Sequence, residues 1–224
     1  MTFSLIARCP RTGQFGAAVS SSSPAVAARC IRARAGVGAA ASQNVTDPAL
    51  GPRLLELMAL GISPAEACRV LAGATPFIEY RQLMAIDAQG RPAIYSGGRT
   101  LGINAEAIGR DAASAGNMLA DARVPQAMLD AFEAEEGSLG QRLMRALQAG
   151  QAAGGEEGPV HSAGLLVVDD LSWPVADLRL DWVEDDPVGR LAEAWALFSP
   201  QIDSYITRAR DPRAAPSFGV PGDL

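Results

Sequence analysis

The chain has 224 residues, of which 48% are hydrophobic and 20% charged, and its formal net charge is −6. This length and composition predict one globular domain with a core of its own and exclude an intrinsically disordered chain. The negative charge, without any Lys-rich or Arg-rich run, argues against a nucleic-acid partner, and no run of about 18 apolar residues predicts a membrane span.

The first half of the chain predicts strands that arrive in hairpins, separated by a pair of helices. Turn residues between Pro10 and Gly13 join the first two strands. Ser63, Pro64 and Glu66 have the spacing of a capping box and begin the second helix. The predicted strands are residues 2–8, 14–21, 35–43, 80–87 and 91–96, and the predicted helices are residues 50–60 and 64–72.

The second half predicts one more strand, two helices, a third β pair and a final helix. The predicted strands are residues 114–119, 162–168 and 176–183, and the predicted helices are residues 125–136 and 139–153. Asp186 and Pro187 open the last helix. Leu191, Trp195, Phe198 and Ile202 share one of its faces.

Neither regular βα alternation nor an all-β pattern describes this order of elements. Hairpin strands predict antiparallel sheets, and helices that come in pairs predict layers outside those sheets. We therefore expect an α+β protein, a four-layer αββα sandwich of two antiparallel sheets. One domain is predicted over residues 1–210, and residues 211–224, which contain Pro and Gly, are predicted to be a C-terminal surface tail.

Cysteine usage and the start of the chain bear on location and cofactors. Cys9, Cys30 and Cys68 are far apart and form no Cys-x-x-Cys pair, which favours reduced thiols. No basic segment followed by a long apolar run marks a signal peptide at the N-terminus. The acidic residues have no convincing metal spacing. We expect a cytoplasmic protein that uses no metal and no cofactor.

Thr2 is a candidate nucleophile because its small side chain favours removal of Met1 by methionine aminopeptidase. A terminal threonine carries its own base, since an α-amine with a pKa near 8 can take the Oγ proton. Many unrelated proteins also begin with Met-Thr. Here, however, Thr2 leads straight into a β-prone run, which would hold a nucleophile rigidly.

Several short motifs occur in a characteristic order: Met1-Thr2-Phe3-Ser4, Arg34-Ala35-Gly36-Val37-Gly38, Gly51-Pro52-Arg53, Arg81-Gln82-Leu83, Gly116-Asn117-Met118-Leu119, and Gln151-Ala152-Ala153-Gly154-Gly155 with Ser162-Ala163. In this order the chain resembles, from about residue 2 to about residue 190, a bacterial family of undescribed function placed in the N-terminal-nucleophile (Ntn) hydrolase superfamily. The resemblance implies the αββα fold and, in active members, hydrolysis of an amide bond by a terminal Thr, Ser or Cys. It implies no particular substrate.

The resemblance also implies positions for groups that support the nucleophile. Threonine-type Ntn enzymes such as the proteasome subunits have an acidic residue at the end of the second strand and a lysine before the third. By order along the chain these positions fall at Ser22 and Arg34, which depart from both residue types. Arg34 could lower the pKa of the amine by its charge, but a guanidinium cannot shuttle a proton. An ordinary surface or core role is the alternative for Arg34.

Two polar segments are further candidates for the site. Gln43 and Asn44 close the predicted third strand, where the superfamily tends to place backbone donors that stabilise an oxyanion. We expect Gln43 to support catalysis and Asn44, with Ser22, to contact substrate; a polar strand end before a turn is the alternative. Asn117 lies in an otherwise apolar strand and needs either a backbone partner or a ligand. We expect Asn117 in the catalytic site, with backbone groups near Gln43 or Asn117 holding the oxyanion.

The leading hypothesis is a cytoplasmic amidohydrolase in which Thr2 attacks a small-molecule amide. Its rival is a non-catalytic binding or structural protein that keeps the αββα fold. His161, the only histidine, is expected in a loop, and Cys9 is expected to be an inert thiol. A homo-oligomer is possible, because the apolar face of the last helix suits either a core or an interface.

Overall fold

The fold is that of a computed structural model of the protein, which describes residues 1–217. These residues form ten strands and seven α-helices. The strands are β1 (Thr2–Arg8), β2 (Phe15–Ser21), β3 (Ile31–Arg34), β4 (Gly38–Asn44), β5 (Arg81–Asp87), β6 (Pro92–Ser96), β7 (Ala105–Gly109), β8 (Ala112–Asn117), β9 (Ser162–Val168) and β10 (Ala176–Leu180). The helices are α1 (Val26–Cys30), α2 (Leu50–Ala59), α3 (Pro64–Ala74), α4 (Val124–Ala134), α5 (Leu139–Ala152), α6 (Pro187–Phe198) and α7 (Ile202–Arg210).

The N-terminal strand lies in the middle of the larger sheet. This six-stranded sheet has the order β10-β9-β2-β1-β8-β7, and every neighbouring pair is antiparallel. Strand β1 therefore pairs along its length with β2 on one side and β8 on the other, with Thr2 opposite Asn117 and Phe3 opposite Ser20. A chain start that is paired on both sides is rigid from its first strand residue onward.

The smaller sheet has four antiparallel strands in the order β3-β4-β5-β6. It faces the six-stranded sheet, and alternate residues of the strands fill the space between them. This inner core holds, among others, Ile6, Phe15, Val19, Met84 and Ile86. Its strands are rich in small residues, so the two sheets approach closely.

Helices cover the two outer faces. Helices α2 and α3 pack on the four-stranded sheet through a cluster that includes Leu50, Leu54 and Leu83. Helices α4, α5 and α6 pack on the six-stranded sheet around Phe3, Leu5 and Phe132. The predicted four-layer αββα sandwich of two antiparallel sheets is confirmed.

The structure differs from the predicted elements in three places. Residues between Ser22 and Arg34 form α1 and β3; α1 is only five residues long and follows Ala25 in the left-handed region (φ 53°) without a side-chain cap, so it leaves little pattern in the sequence. Strand β7 is an edge strand with one buried residue, so its sequence shows no clear alternation of apolar and polar residues. The predicted last helix is divided into α6 and α7 by a 3₁₀ turn at Ser199–Gln201.

The C-terminal tail predicted over residues 211–224 falls only partly within the described chain. Residues 211–217 contain a 3₁₀ turn, Pro212–Ala214, whose start is capped by the side chain of Asp211. Residues 218–224 lie outside the described residues. Among the helices of residues 1–217, none combines the length and the apolar character needed to cross a membrane.

Candidate active site

Thr2 opens the central strand with its side chain directed between the sheets. On β1 the helix-facing positions are Phe3 and Leu5, while Ile6 belongs to the inner core, so strand alternation places Thr2 and Ser4 on the inner face as well. Only 3% of Thr2 is exposed. A side chain held this way, two residues from the buried Ser4, has the fixed position that a nucleophile requires.

The carbonyl of Met1 is held by two hydroxyl groups. Thr2 Oγ1 and Ser21 Oγ both donate hydrogen bonds to the Met1 carbonyl oxygen. Ser21 ends β2, and its Oγ also lies 2.9 Å from the hydroxyl of Ser23. A carbonyl group therefore already occupies the place in front of the Thr2 hydroxyl, with a second donor on its oxygen.

A buried polar network ties the two sheets together next to Thr2. Ser4 Oγ donates to Gln43 Oε1 at 2.6 Å, and Gln43 Nε2 donates to Gln82 Oε1 at 2.7 Å and to the Ala115 carbonyl at 3.1 Å. Asn117 Nδ2 completes it with a 3.2 Å bond to the same Gln82 oxygen. The Ser4, Gln43, Gln82 and Asn117 side chains are all fully buried. Asn117 Oδ1, in contrast, has no hydrogen-bond partner.

Glu156 brings a carboxylate to the end of β2. It is 4% exposed, and both of its carboxylate oxygens lie 3.1 Å from the Ser22 backbone N–H, which donates to them. An isolated β-bridge to Leu119 fixes its backbone. Gly155 precedes it with φ 60°, and a side chain there would come within 3.3 Å of the Phe3 ring. The loop after α5 therefore needs this glycine to place the carboxylate.

The Glu156 carboxylate is electrostatically unusual. Burial raises the pKa of the Glu156 carboxyl from 4.5 to about 7, against the opposing effects of the positive amino terminus and of hydrogen bonds from Ser22 and Ser21. Within residues 1–217 it takes part in no ion pair with a cationic nitrogen closer than 4 Å. A group of this kind changes its charge near neutral pH and is typical of functional sites.

The structure brings most of the predicted site residues together. Thr2, Ser22, Gln43, Asn44 and Asn117 all lie at one end of the sandwich. The Gln43 amide is fully committed to the polar network. The Asn44 amide joins two loops, because Nδ2 donates to the Tyr80 carbonyl at 2.5 Å and Oδ1 accepts from the Leu101 N–H at 3.2 Å.

Arg34 is not brought to this end. It is exposed at the far end of the β3–β4 hairpin, opposite Gly38, and the seven residues of β4 from Gly38 to Asn44 span about 20 Å. The reason is that the third strand begins at Ile31, so that the residue before it is Cys30. Burial raises the pKa of the Cys30 thiol, whose Sγ lies 3.5 Å from Thr46 Oγ1.

Four residues of this end were not anticipated from the sequence: Ser4, Ser21, Gln82 and Glu156. Gln82 is a polar residue in an apolar strand, and the argument applied to Asn117 would also have singled it out. Ser21 sits in a run of four serines, with nothing to distinguish it from its neighbours. Glu156 stands beside Glu157 in a glycine-rich loop, a pattern typical of solvated charges.

No other part of the described chain offers comparable chemistry. A cleft of about 200 Å³ at the opposite end of the sandwich is lined by Gly61, Asp87 and Arg91. There the Asp87 carboxylate is already bonded to the Gln89 and Arg91 backbones and to the Arg91 guanidinium, which makes it a turn residue. Among residues 1–217 no three His, Cys, Asp or Glu side chains are grouped so that they could hold a metal ion.

Comparisons with known proteins agree with the resemblance found in the sequence. The model of a family of unknown function, DUF1028, matches residues 2–191. A crystal structure of a DUF1028 protein from Silicibacter pomeroyi is 31% identical, with a TM-score of 0.82, and the match covers 88% of this chain and 85% of that one.

More distant structures also match along most of their length. Anbu (ancestral beta-subunit) from Yersinia bercovieri is 10% identical, with a TM-score of 0.40, over 91% of this chain and 97% of its own. An Anbu mutant from Hyphomicrobium is 13% identical, with a TM-score of 0.43, over the same shares. A comparison with curated proteins found no match. The family match, which spans most of the chain, shows that this protein belongs to the DUF1028 family of unknown function.

Proposed function

We propose that the protein, once Met1 is removed, is an amidohydrolase that cleaves a small-molecule amide with Thr2 as its nucleophile. The observation that carries this proposal is the Met1 carbonyl, which lies against the Thr2 hydroxyl and accepts a second hydrogen bond from Ser21. A substrate carbonyl in that position would meet both the nucleophile and a donor for its oxygen. The free, buried cysteines are in keeping with a cytoplasmic location.

The reaction follows from the groups at the end of β1. Removal of Met1 leaves Thr2 with a free α-amine, whose ordinary pKa is about 8. The amine takes the Oγ proton while Oγ bonds to the amide carbon, and the resulting ammonium then protonates the leaving nitrogen as the C–N bond breaks. Water, deprotonated by the same amine, hydrolyses the ester formed on Thr2 and restores the hydroxyl.

Ser21 and the polar network have separate roles in this reaction. The Ser21 hydroxyl stabilises the developing oxyanion, together with backbone groups near Gln43 and Asn117. The Gln43 side chain, whose donors and acceptor are all used, holds β4 and β5 against β1. The network therefore keeps the nucleophile in register with the groups around it.

Protein whose first residue is Thr2, released from a cleavable N-terminal fusion, tests the proposal. We expect it to hydrolyse members of a panel of small amides, Thr2→Ser to retain activity, and Thr2→Ala to lose at least about 100-fold, because the nucleophile is absent. Thr12→Ala, in the exposed β1–β2 turn, is the matched control and should behave as wild type. Equal turnover by Thr2→Ala and wild type would contradict the proposal.

A non-catalytic binding protein with the same fold is the second candidate. It is favoured by the same hydroxyl contacts, since a retained Met1 seated on Thr2 and Ser21 would leave no free α-amine. Mass spectrometry of the protein purified from its own cells, followed by a covalent probe that needs both the amine and the hydroxyl, separates the two. An intact Met1 without labelling would favour the binding protein.

A further inference from the structure

The buried carboxylate of Glu156 forms no ion pair within the described residues. Its acceptors are used by the Ser22 backbone N–H, and no cationic nitrogen of the described residues lies within 4 Å. Burying an ionised carboxylate costs several kcal/mol unless a positive group compensates it. The loop nonetheless fixes this side chain inside the protein. Gly155 precedes Glu156 with a positive φ, and the β-bridge to Leu119 holds the backbone of Glu156 itself.

This carboxylate lies near the start of β1, where removal of Met1 would leave a new amino terminus. The Met1 carbonyl is bonded directly to the Thr2 nitrogen, and its oxygen accepts from Ser21, the residue before the one that binds Glu156. The positive charge of the present amino terminus already acts on Glu156. After Met1 is removed, the positive charge of the amino terminus moves to the Thr2 nitrogen, at the start of β1.

We propose that Glu156 is a positioning residue for the Thr2 α-amine: its carboxylate orients the amine and stabilises the ammonium that forms when the amine takes the Oγ proton. The inference rests on the proposed function and names the group that supports the base. Glu156 makes and breaks no covalent bond; the proton passes from Oγ to the amine and on to the leaving nitrogen. In a serine-protease triad, a carboxylate of fixed position likewise orients the histidine base and stabilises its charged form.

The other charged groups near this end are committed elsewhere. Arg29, on α1, donates to Ser23 Oγ at 2.7 Å and to the Pro24 carbonyl at 2.8 Å. The amino terminus also acts on the Cys30 thiol, which contacts Thr46. Neither offers the amine a negative charge, whereas the amino terminus acts on the Glu156 carboxylate.

The test measures the pKa of the Thr2 α-amine in protein prepared with Thr2 as its first residue. Cyanate carbamylates only the neutral amine, so the rate of N-terminal carbamylation against pH, followed by mass spectrometry, gives the pKa without any substrate. A nearby carboxylate favours the ammonium, and we expect Glu156→Gln to lower this pKa by about one unit. Glu157→Gln, at the exposed neighbouring position, should leave it unchanged.

A second variant distinguishes the loss of the Glu156 charge from a folding defect. Glu156→Asp retains the charge at a longer distance and should give a pKa between those of wild type and Glu156→Gln, in protein that unfolds cooperatively. An unchanged pKa in folded Glu156→Gln would overturn the inference. A shifted pKa in a protein that hydrolyses no amide would instead contradict the proposed function and leave the role of Glu156 standing.

Discussion

Asn117 is the residue whose hydrogen bonding is incomplete. Its Oδ1 is buried without a partner, although its Nδ2 is bonded to Gln82 and its backbone lies opposite Thr2. An unsatisfied buried acceptor costs about 1–3 kcal/mol. With Met1 present, the Thr2 hydroxyl is used by the Met1 carbonyl. Removing Met1 frees that hydroxyl and leaves an amine on the residue opposite Asn117, and we expect one of these groups to donate to the acceptor.

This acceptor links the removal of Met1 to the stability of the fold. We expect the chain that begins at Thr2 to be more stable than the chain with Met1 by about 1 kcal/mol, because a buried acceptor becomes satisfied. In Asn117→Ala the two forms should be equally stable. Urea denaturation of the four proteins gives the coupling, and Ser114→Ala, on the same strand but facing the helices, is the control that should keep the wild-type difference.

At the scale of the elements, glycines mark where layers touch. Those inside helices include Gly140 in α5 and Gly73 in α3. A Cβ at Gly140 would come within 2.2 Å of the Trp195 ring on α6, whereas a Cβ at Gly73 meets nothing within 4 Å. The same residue type thus permits close packing at one site and only loosens the helix at the other.

Opposite effects of one substitution are therefore expected. Gly73→Ala should raise the free energy of unfolding by about 0.5–1 kcal/mol, because alanine is the better helix former. Gly140→Ala should lower it by about 1–3 kcal/mol, because the buried Trp195 ring must move. Thermal or urea unfolding of both variants measures this, and stabilisation by Gly140→Ala would show that α6 does not pack on α5 as described.

The sequence contained enough to predict the layers but only part of the site. Strands such as β1 and β9, and α5 with its Leu139, Leu143 and Leu147 stripe, are long and periodic, so they could be recognised locally. Short or edge elements, including α1 and β7, lack that periodicity. Contacts such as Ser22 with Glu156 join positions 134 residues apart, and no local pattern specifies them.

For the whole molecule, the space between the sheets has two unlike ends. Apolar residues such as Phe15 and Ile86 fill most of it, while the polar network and Glu156 are collected where β1 begins. The residues of this end come from six distant segments of the chain. The fold thus places these buried polar groups, which cost stability, next to Thr2, where the proposed removal of Met1 takes place.

Glu156 makes the stability of the folded protein depend on pH. Its pKa in the folded protein is raised from 4.5 to about 7, so its contribution to stability is fully present below about pH 4.5 and is lost as the pH rises through 7. Wild type should therefore lose stability relative to Glu156→Gln over this range, by on the order of 2–3 kcal/mol. Urea denaturation of the Met1-containing chain at pH 4.5, 6 and 8 measures the difference, with the exposed Glu157→Gln as the control. A difference between wild type and Glu156→Gln that stays constant with pH would show that this carboxyl does not titrate near neutrality in the folded protein.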